Sequence, residues 1–155
     1  MIVRRDLLGK SQKSCPKVMN WTTMADNGSM LNTPPTYTIY LCGLCMKWLK
    51  KQGGVEAIEK VNIEKSNLLY NILDDSKFYR GAAEAGSRSR KNVTFTTPTA
   101  ELDAKFVKEA AGVGLVNLKG HRLTGGIRAS IYNAMPIEGV NALVDFMKKF
   151  EVENK

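Results

Sequence analysis

The chain has little of several things that define common protein classes. Of 155 residues, three are cysteine and one is histidine. An odd cysteine count in a chain of this size argues against a disulfide framework and fits reduced thiols. Cys42-Gly43-Leu44-Cys45 is formally C-x-x-C, but a zinc site needs four ligands, and the remaining candidates, Cys15 and His121, are far away in sequence. The pair lies inside a helical apolar pattern, so both residues are expected to pack as small apolar groups rather than bind metal or exchange disulfides. No apolar run approaches the length of a membrane span. Met1-Ile2-Val3-Arg4-Arg5-Asp6 is too short and too quickly charged for a secretory signal, leaving the cytosol as the expected compartment. Acidic residues are scarce, 15 against 23 lysines and arginines, giving a net charge of +8. A basic balance suits nucleic acid, a membrane surface or small anions. The densest cluster, Arg88-Ser89-Arg90-Lys91, has no aromatic platform beside it, and single-stranded nucleic acid usually needs both. Most lysines, Lys60 and Lys65 among them, fall where a solvated helix face is expected.

What is present reads as one soluble domain with a real core. Met1–Arg4 suggests the end of a strand, and 18–22 an extended piece. Asp26-Asn27-Gly28-Ser29 is a turn. Pro34 and Pro35 then open a helix with Asn32 or Thr33 as its cap, and Tyr37, Ile39, Tyr40, Leu41, Leu44 and Trp48 as its apolar face. Gly53-Gly54 stops it. A second helix covers 55–73. Strands follow from Phe78 and at 92–96, then a helix capped by Thr99, a strand at 115–118, and a last helix opened by Pro136 that frays from Glu151. This order implies an α/β chain of α+β character, its antiparallel or mixed sheet covered by helices on one face.

The stretch from Gly120 to Asn133 draws the eye. It holds the only histidine and two arginines around Gly125-Gly126, which reads as a turn leading into a strand that alternates Ile127, Ala129 and Ile131 with Arg128, Ser130 and Tyr132. A guanidinium on such a strand matches a carboxylate or phosphate bidentately, and His121 with Arg122 offers a second anion site. An ordinary surface hairpin with solvated charges has the same spacing. Likewise Asn32 and Thr33 before a helix suit a phosphate or plain capping.

The string GHRLTGGIRASIYNAMPIEGV, with residues 25–36 upstream, Trp48-Leu49-Lys50, Gln52-Gly53-Gly54 and Arg88–Val93, closely resembles the phosphoserine aminotransferase family. These are pyridoxal-phosphate enzymes of serine biosynthesis, class-V aminotransferases of fold type I. The resemblance implies a homodimer, with Asn32 and Thr33 reaching the cofactor phosphate of the other subunit. Arg128 would bind the substrate α-carboxylate. His121 and Arg122 would hold the phosphate of phosphoserine or the side-chain carboxylate of glutamate. It implies that residues 1–30 are the end of a large cofactor-binding domain and 31–155 the small C-terminal domain. The family's Schiff-base lysine motif has no counterpart here. The chain therefore resembles a C-terminal portion that is inactive alone, with no catalytic residue and no metal of its own. A non-catalytic anion-binding or interaction module is the alternative.

Overall fold

A computed structural model describes all residues, Met1–Lys155. Compactness divides the chain after Trp48 into two units, Met1–Trp48 and Leu49–Lys155.

The first unit is helical. Two 3-10 turns, Arg5–Leu7 and Lys17–Met19, precede α1 (Trp21–Asp26). The extended piece expected at 18–22 is thus helical, because the Asn20 side chain accepts from the N–H groups of Thr22 and Thr23 and starts α1. No strand forms at Met1–Arg4. α2 (Thr36–Lys51) follows the two prolines. Its expected apolar face is uncovered: Tyr37 is 73% exposed and Trp48 40%, with Ile39, Tyr40, Leu41 and Leu44 between. Cys42 and Cys45, expected to pack, are exposed free thiols.

The second unit holds the sheet and the core. α3 (Gly54–Asp75) starts at Gly54, after Gly53 at φ +93°, so the glycine pair ends α2 and begins α3 together. The sheet comprises β1 (Arg80–Gly81), β2 (Asn92–Thr96), β3 (Lys119–His121) and β4 (Gly125–Ser130). Its order is β1-β2-β4-β3, and every pairing is antiparallel. Phe78 and Tyr79 precede β1 rather than joining it. Likewise 115–118 is loop: Asn117 sits at φ +62°, and regular pairing begins only at Lys119.

Alternation sets the layers. Val93, Phe95, Ile127 and Ala129 are buried on one face under α3, α4 (Ala100–Gly112) and α5 (Ile137–Asn154). Thr94, Thr96, Arg128 and Ser130 are only partly covered on the other. Under the helices lies an aromatic cluster. Phe106 meets Phe150, Phe146 and Phe95 edge-on at ring separations of 5.0, 5.0 and 5.8 Å, and Tyr79 meets Phe95 at 5.6 Å. The Tyr79 hydroxyl donates to the Met147 carbonyl at 2.8 Å. Caps follow the expected chemistry at α4, where the Thr99 hydroxyl accepts from Leu102 N–H. α5 continues to Asn154, past the expected fraying at Glu151, because the Asn154 amide donates to the Phe150 carbonyl.

Lys65 overturns an expectation. Placed on a solvated face by its charge, it is 0% exposed. Its ammonium donates to the carbonyls of Tyr132 at 2.8 Å, Met135 at 3.0 Å and Asn133 at 3.5 Å. A buried ammonium must be hydrogen-bonded to be tolerated, and here the backbone between β4 and α5 supplies the acceptors. Burial pulls its pKa below the ordinary lysine value. The link fastens the stretch after Arg128 to α3.

Candidate functional site

Arg128 stands mid-strand in β4, opposite Thr94 of β2, on the face the helices leave open. Its backbone N–H donates to the Leu118 carbonyl at 2.8 Å, so its root is fixed from both sides. Its side chain has no such partner. None of the ion pairs in the chain includes Arg128, and its Nε is buried without a hydrogen bond. Arg128 lines a cavity of about 650 Å³, together with Leu115, Lys119, Ser130 and Tyr132. An unpaired, partly desolvated arginine on a cavity wall is set up to receive an anion.

His121 and Arg122 lie at the tip of the β3–β4 hairpin, both exposed. The tip is not the glycine pair. The connection is Arg122-Leu123-Thr124, closed by Thr124 N–H donating to the His121 carbonyl at 3.1 Å. Nδ1 of this exposed His121 accepts from Leu123 N–H at 3.3 Å. Gly125 and Gly126 instead open β4, each at φ +68°. Gly126 is required by space as well: a Cβ there would sit 2.8 Å from the Phe95 carbonyl oxygen.

The hairpin register pairs His121 with Gly125 and Lys119 with Ile127. His121 therefore sits three residues along β4 from Arg128, roughly 10 Å at about 3.3 Å per residue. No hydrogen bond joins His121, Arg122 and Arg128. One hairpin thus carries two separate cationic positions, a rigid one in the strand and an exposed one at the tip. Lys119 is exposed.

The sequence carries one further signal for this region. Between Glu109 and Glu138 the chain has no acidic residue, yet it has Lys119, His121, Arg122 and Arg128. Cations without local carboxylates cannot neutralise themselves. The Arg88–Lys91 cluster behaves differently. Arg88 forks onto Asp74 and stacks over the Tyr70 ring at 4.6 Å, and Arg90 pairs with Glu59. Asp74 is held below its usual carboxylate range by that hydrogen bond from Arg88.

Asn32 and Thr33 belong to the first unit and lie in the loop before α2. They are exposed and form no side-chain hydrogen bond, so neither is the expected cap. Thr36 N–H turns back to Pro34, while the first-turn N–H groups of Tyr37 and Thr38 have no backbone partner. An amide, a hydroxyl and open helix N–H groups are the kinds of donor that suit a phosphate.

Residues 2–143 match the class-V aminotransferase family model. The chain belongs to the class-V aminotransferases. It is 52% identical over 154 residues to a phosphoserine aminotransferase of Bacillus cereus, a match spanning 99% of this chain and 43% of that protein. Among solved structures it resembles the phosphoserine aminotransferase of Bacillus circulans subsp. alkalophilus, with a TM-score of 0.90 and 43% identity over 99% of this chain and 43% of that one. It also resembles a phosphoserine aminotransferase from Trichomonas vaginalis with bound PLP, with a TM-score of 0.85 and 37% identity over 94% of this chain and 42% of that one. This class-V chain thus spans under half the length of the curated relatives it matches.

Proposed function

We propose that the chain supplies the anion-holding part of a phosphoserine aminotransferase, which moves an amino group between O-phospho-L-serine and 2-oxoglutarate. The observation that carries this reading is Arg128: an arginine rooted in a central strand, lining a cavity and paired with no carboxylate. Its fork would take the α-carboxylate that both amino donors share. His121 and Arg122 at the hairpin tip would hold the distal anion, phosphate in one substrate and carboxylate in the other. An exposed tip tolerates two anions of different size better than a rigid socket does.

Asn32 and Thr33 would hold the phosphate of pyridoxal phosphate, and in a homodimer they would do so for the neighbouring subunit. The uncovered apolar face of α2 supports an assembly in which something else covers it. When bound, the cofactor supplies the electron sink that lets an amino group move. The chain's own residues bind, orient and neutralise. None of its lysines is given the covalent role, so the 155-residue chain alone is expected to show no turnover.

The test is a coupled assay of the whole enzyme with phosphoserine, serine and alanine as amino donors. Serine and alanine lack the distal anion, and losing a charge-assisted contact costs about 1.5–3 kcal/mol, roughly ten- to a hundredfold in kcat/KM. Phosphoserine should therefore exceed serine in kcat/KM by about that factor. Comparable rates with serine or alanine would refute the substrate assignment.

A further inference from the structure

The aminotransferase reading leaves one sequence motif without a role, Cys42-Gly43-Leu44-Cys45. Both thiols are free and exposed, and both stand in the body of α2, away from its ends. Residues three apart on a helix are neighbours, with Cβ atoms roughly 5–6 Å apart. The two sulfurs therefore leave the same side of α2. Thr38, Cys42 and Cys45 follow one another there at intervals of four and three. Tyr37, Leu41, Leu44 and Trp48 form the next row, about 100° round the axis. The thiols thus stand beside the uncovered apolar row rather than within it.

This spacing decides what the pair can do. A disulfide needs Cβ atoms roughly 3.5–4.5 Å apart, closer than the helix allows without unwinding. One atom placed between the sulfurs removes the difficulty. With metal–thiolate bonds of about 2.3 Å, two sulfurs on opposite sides of one ion stand about 4.6 Å apart, which neighbouring side chains can match. Zinc needs four ligands, and no group of three or more His, Cys, Asp or Glu side chains is placed to hold a metal ion. α2 contains no carboxylate, so oxygen-seeking cations find no charged ligand on it. A soft ion satisfied by two thiolates remains, and among the first-row metals that is Cu(I). Two thiolates and one Cu(I) carry one net negative charge, and Lys47, Lys50 and Lys51 lie on the same helix.

We propose that Cys42 and Cys45 form a two-thiolate binding site for Cu(I) on the exposed side of α2. On binding, both S–H bonds break, the two protons pass to water and two S–Cu bonds form. Copper stays Cu(I), and no electron moves. Neither thiol lines the Arg128 cavity, so the aminotransferase reading can fail while this site stands.

The test is titration of the reduced 155-residue chain with Cu(I) under nitrogen, in competition with the coloured chelator bicinchoninate. The chain should retain one copper. Cys42→Ser and Cys45→Ser should each lower the affinity roughly 10²–10⁴-fold, the gain that a second tethered ligand brings. Cys15→Ser should change nothing. Moving the second thiol along α2 separates chelation from general thiol binding and from damage to the helix. Cys45→Ser with Met46→Cys sets a four-residue spacing and should bind, whereas Cys45→Ser with Leu44→Cys turns the thiols apart and should not. Copper retained by either single Ser variant, one copper shared between two chains, loss of copper in Cys15→Ser, or equal behaviour of the two relocated pairs would each overturn the proposal.

Discussion

Two cations set the terms at the residue scale. Lys65 is wholly buried and Arg128 only partly, at its Nε, yet one is saturated with acceptors and the other has none for its Nε. Lys65 is structural by that criterion. Replacing it with Met keeps the packing volume but leaves the carbonyls of Tyr132 and Met135 without their donor. The expected loss is about 1–3 kcal/mol, the cost of stranding buried polar groups, read from urea unfolding of the purified chain. Equal or greater stability in Lys65→Met would show that burying the charge costs more than its hydrogen bonds return. Charge alone assigns Lys65 to an exposed face. Its spacing said otherwise: Ile58, Asn62, Lys65 and Leu69 follow one another at helical intervals on a single side of α3. The partner carbonyls lie some 67–70 residues away, which spacing cannot reveal.

At the scale of elements, the hairpin is the part that positions the chemistry. Its close approach falls at Gly120, where a Cβ would lie 1.9 Å from the Gly125 carbonyl oxygen. That atom is backbone and cannot swing away. Gly120→Ala should therefore cost about 1–3 kcal/mol, as overpacking does, and should loosen β3 against β4, which amide hydrogen exchange at Lys119–Arg128 would detect. Gly43→Ala in α2 is the control: nothing lies within 4 Å of its Cβ position, and helix propensity favours Ala by about 1 kcal/mol. If Gly120→Ala behaves like Gly43→Ala, the hairpin is more plastic than its geometry implies.

The strand β2, the helix capped by Thr99 and the helix after Pro136 were legible because alternation, capping residues and proline act locally. Gly-Gly usually marks a reversal, but here both glycines lie in β4, and at Gly126 a side chain would strike Phe95 of the neighbouring strand. The loop at 115–118 reads as a strand by composition, but Asn117 turns left-handed and delays pairing. Helix α2 was correctly read as amphipathic, yet nothing in the sequence tells whether a face will be covered within the same chain.

For the molecule as a whole, the net charge of +8 is unevenly committed. Arg88 and Arg90 are tied to Asp74 and Glu59, while the acid-free stretch around β3 and β4 keeps its cations unpaired. Such a surplus at one hairpin suits the proposed amino donors, each of which carries an α-carboxylate and a second anionic group. The central claim is that Arg128 holds the carboxylate common to both amino donors.

The most direct test is kcat/KM of the whole enzyme with Arg128→Lys, measured separately for phosphoserine and glutamate. Lysine keeps the charge but cannot present two parallel N–H donors. Losing one arm of a charge-assisted pair costs about 1.5–3 kcal/mol, or roughly ten- to a hundredfold in kcat/KM. Because the α-carboxylate is shared, both substrates should suffer by the same factor, while Arg122→Lys should affect them unequally. A nearly silent Arg128→Lys, or one that harms a single substrate, would contradict the account and put the carboxylate elsewhere.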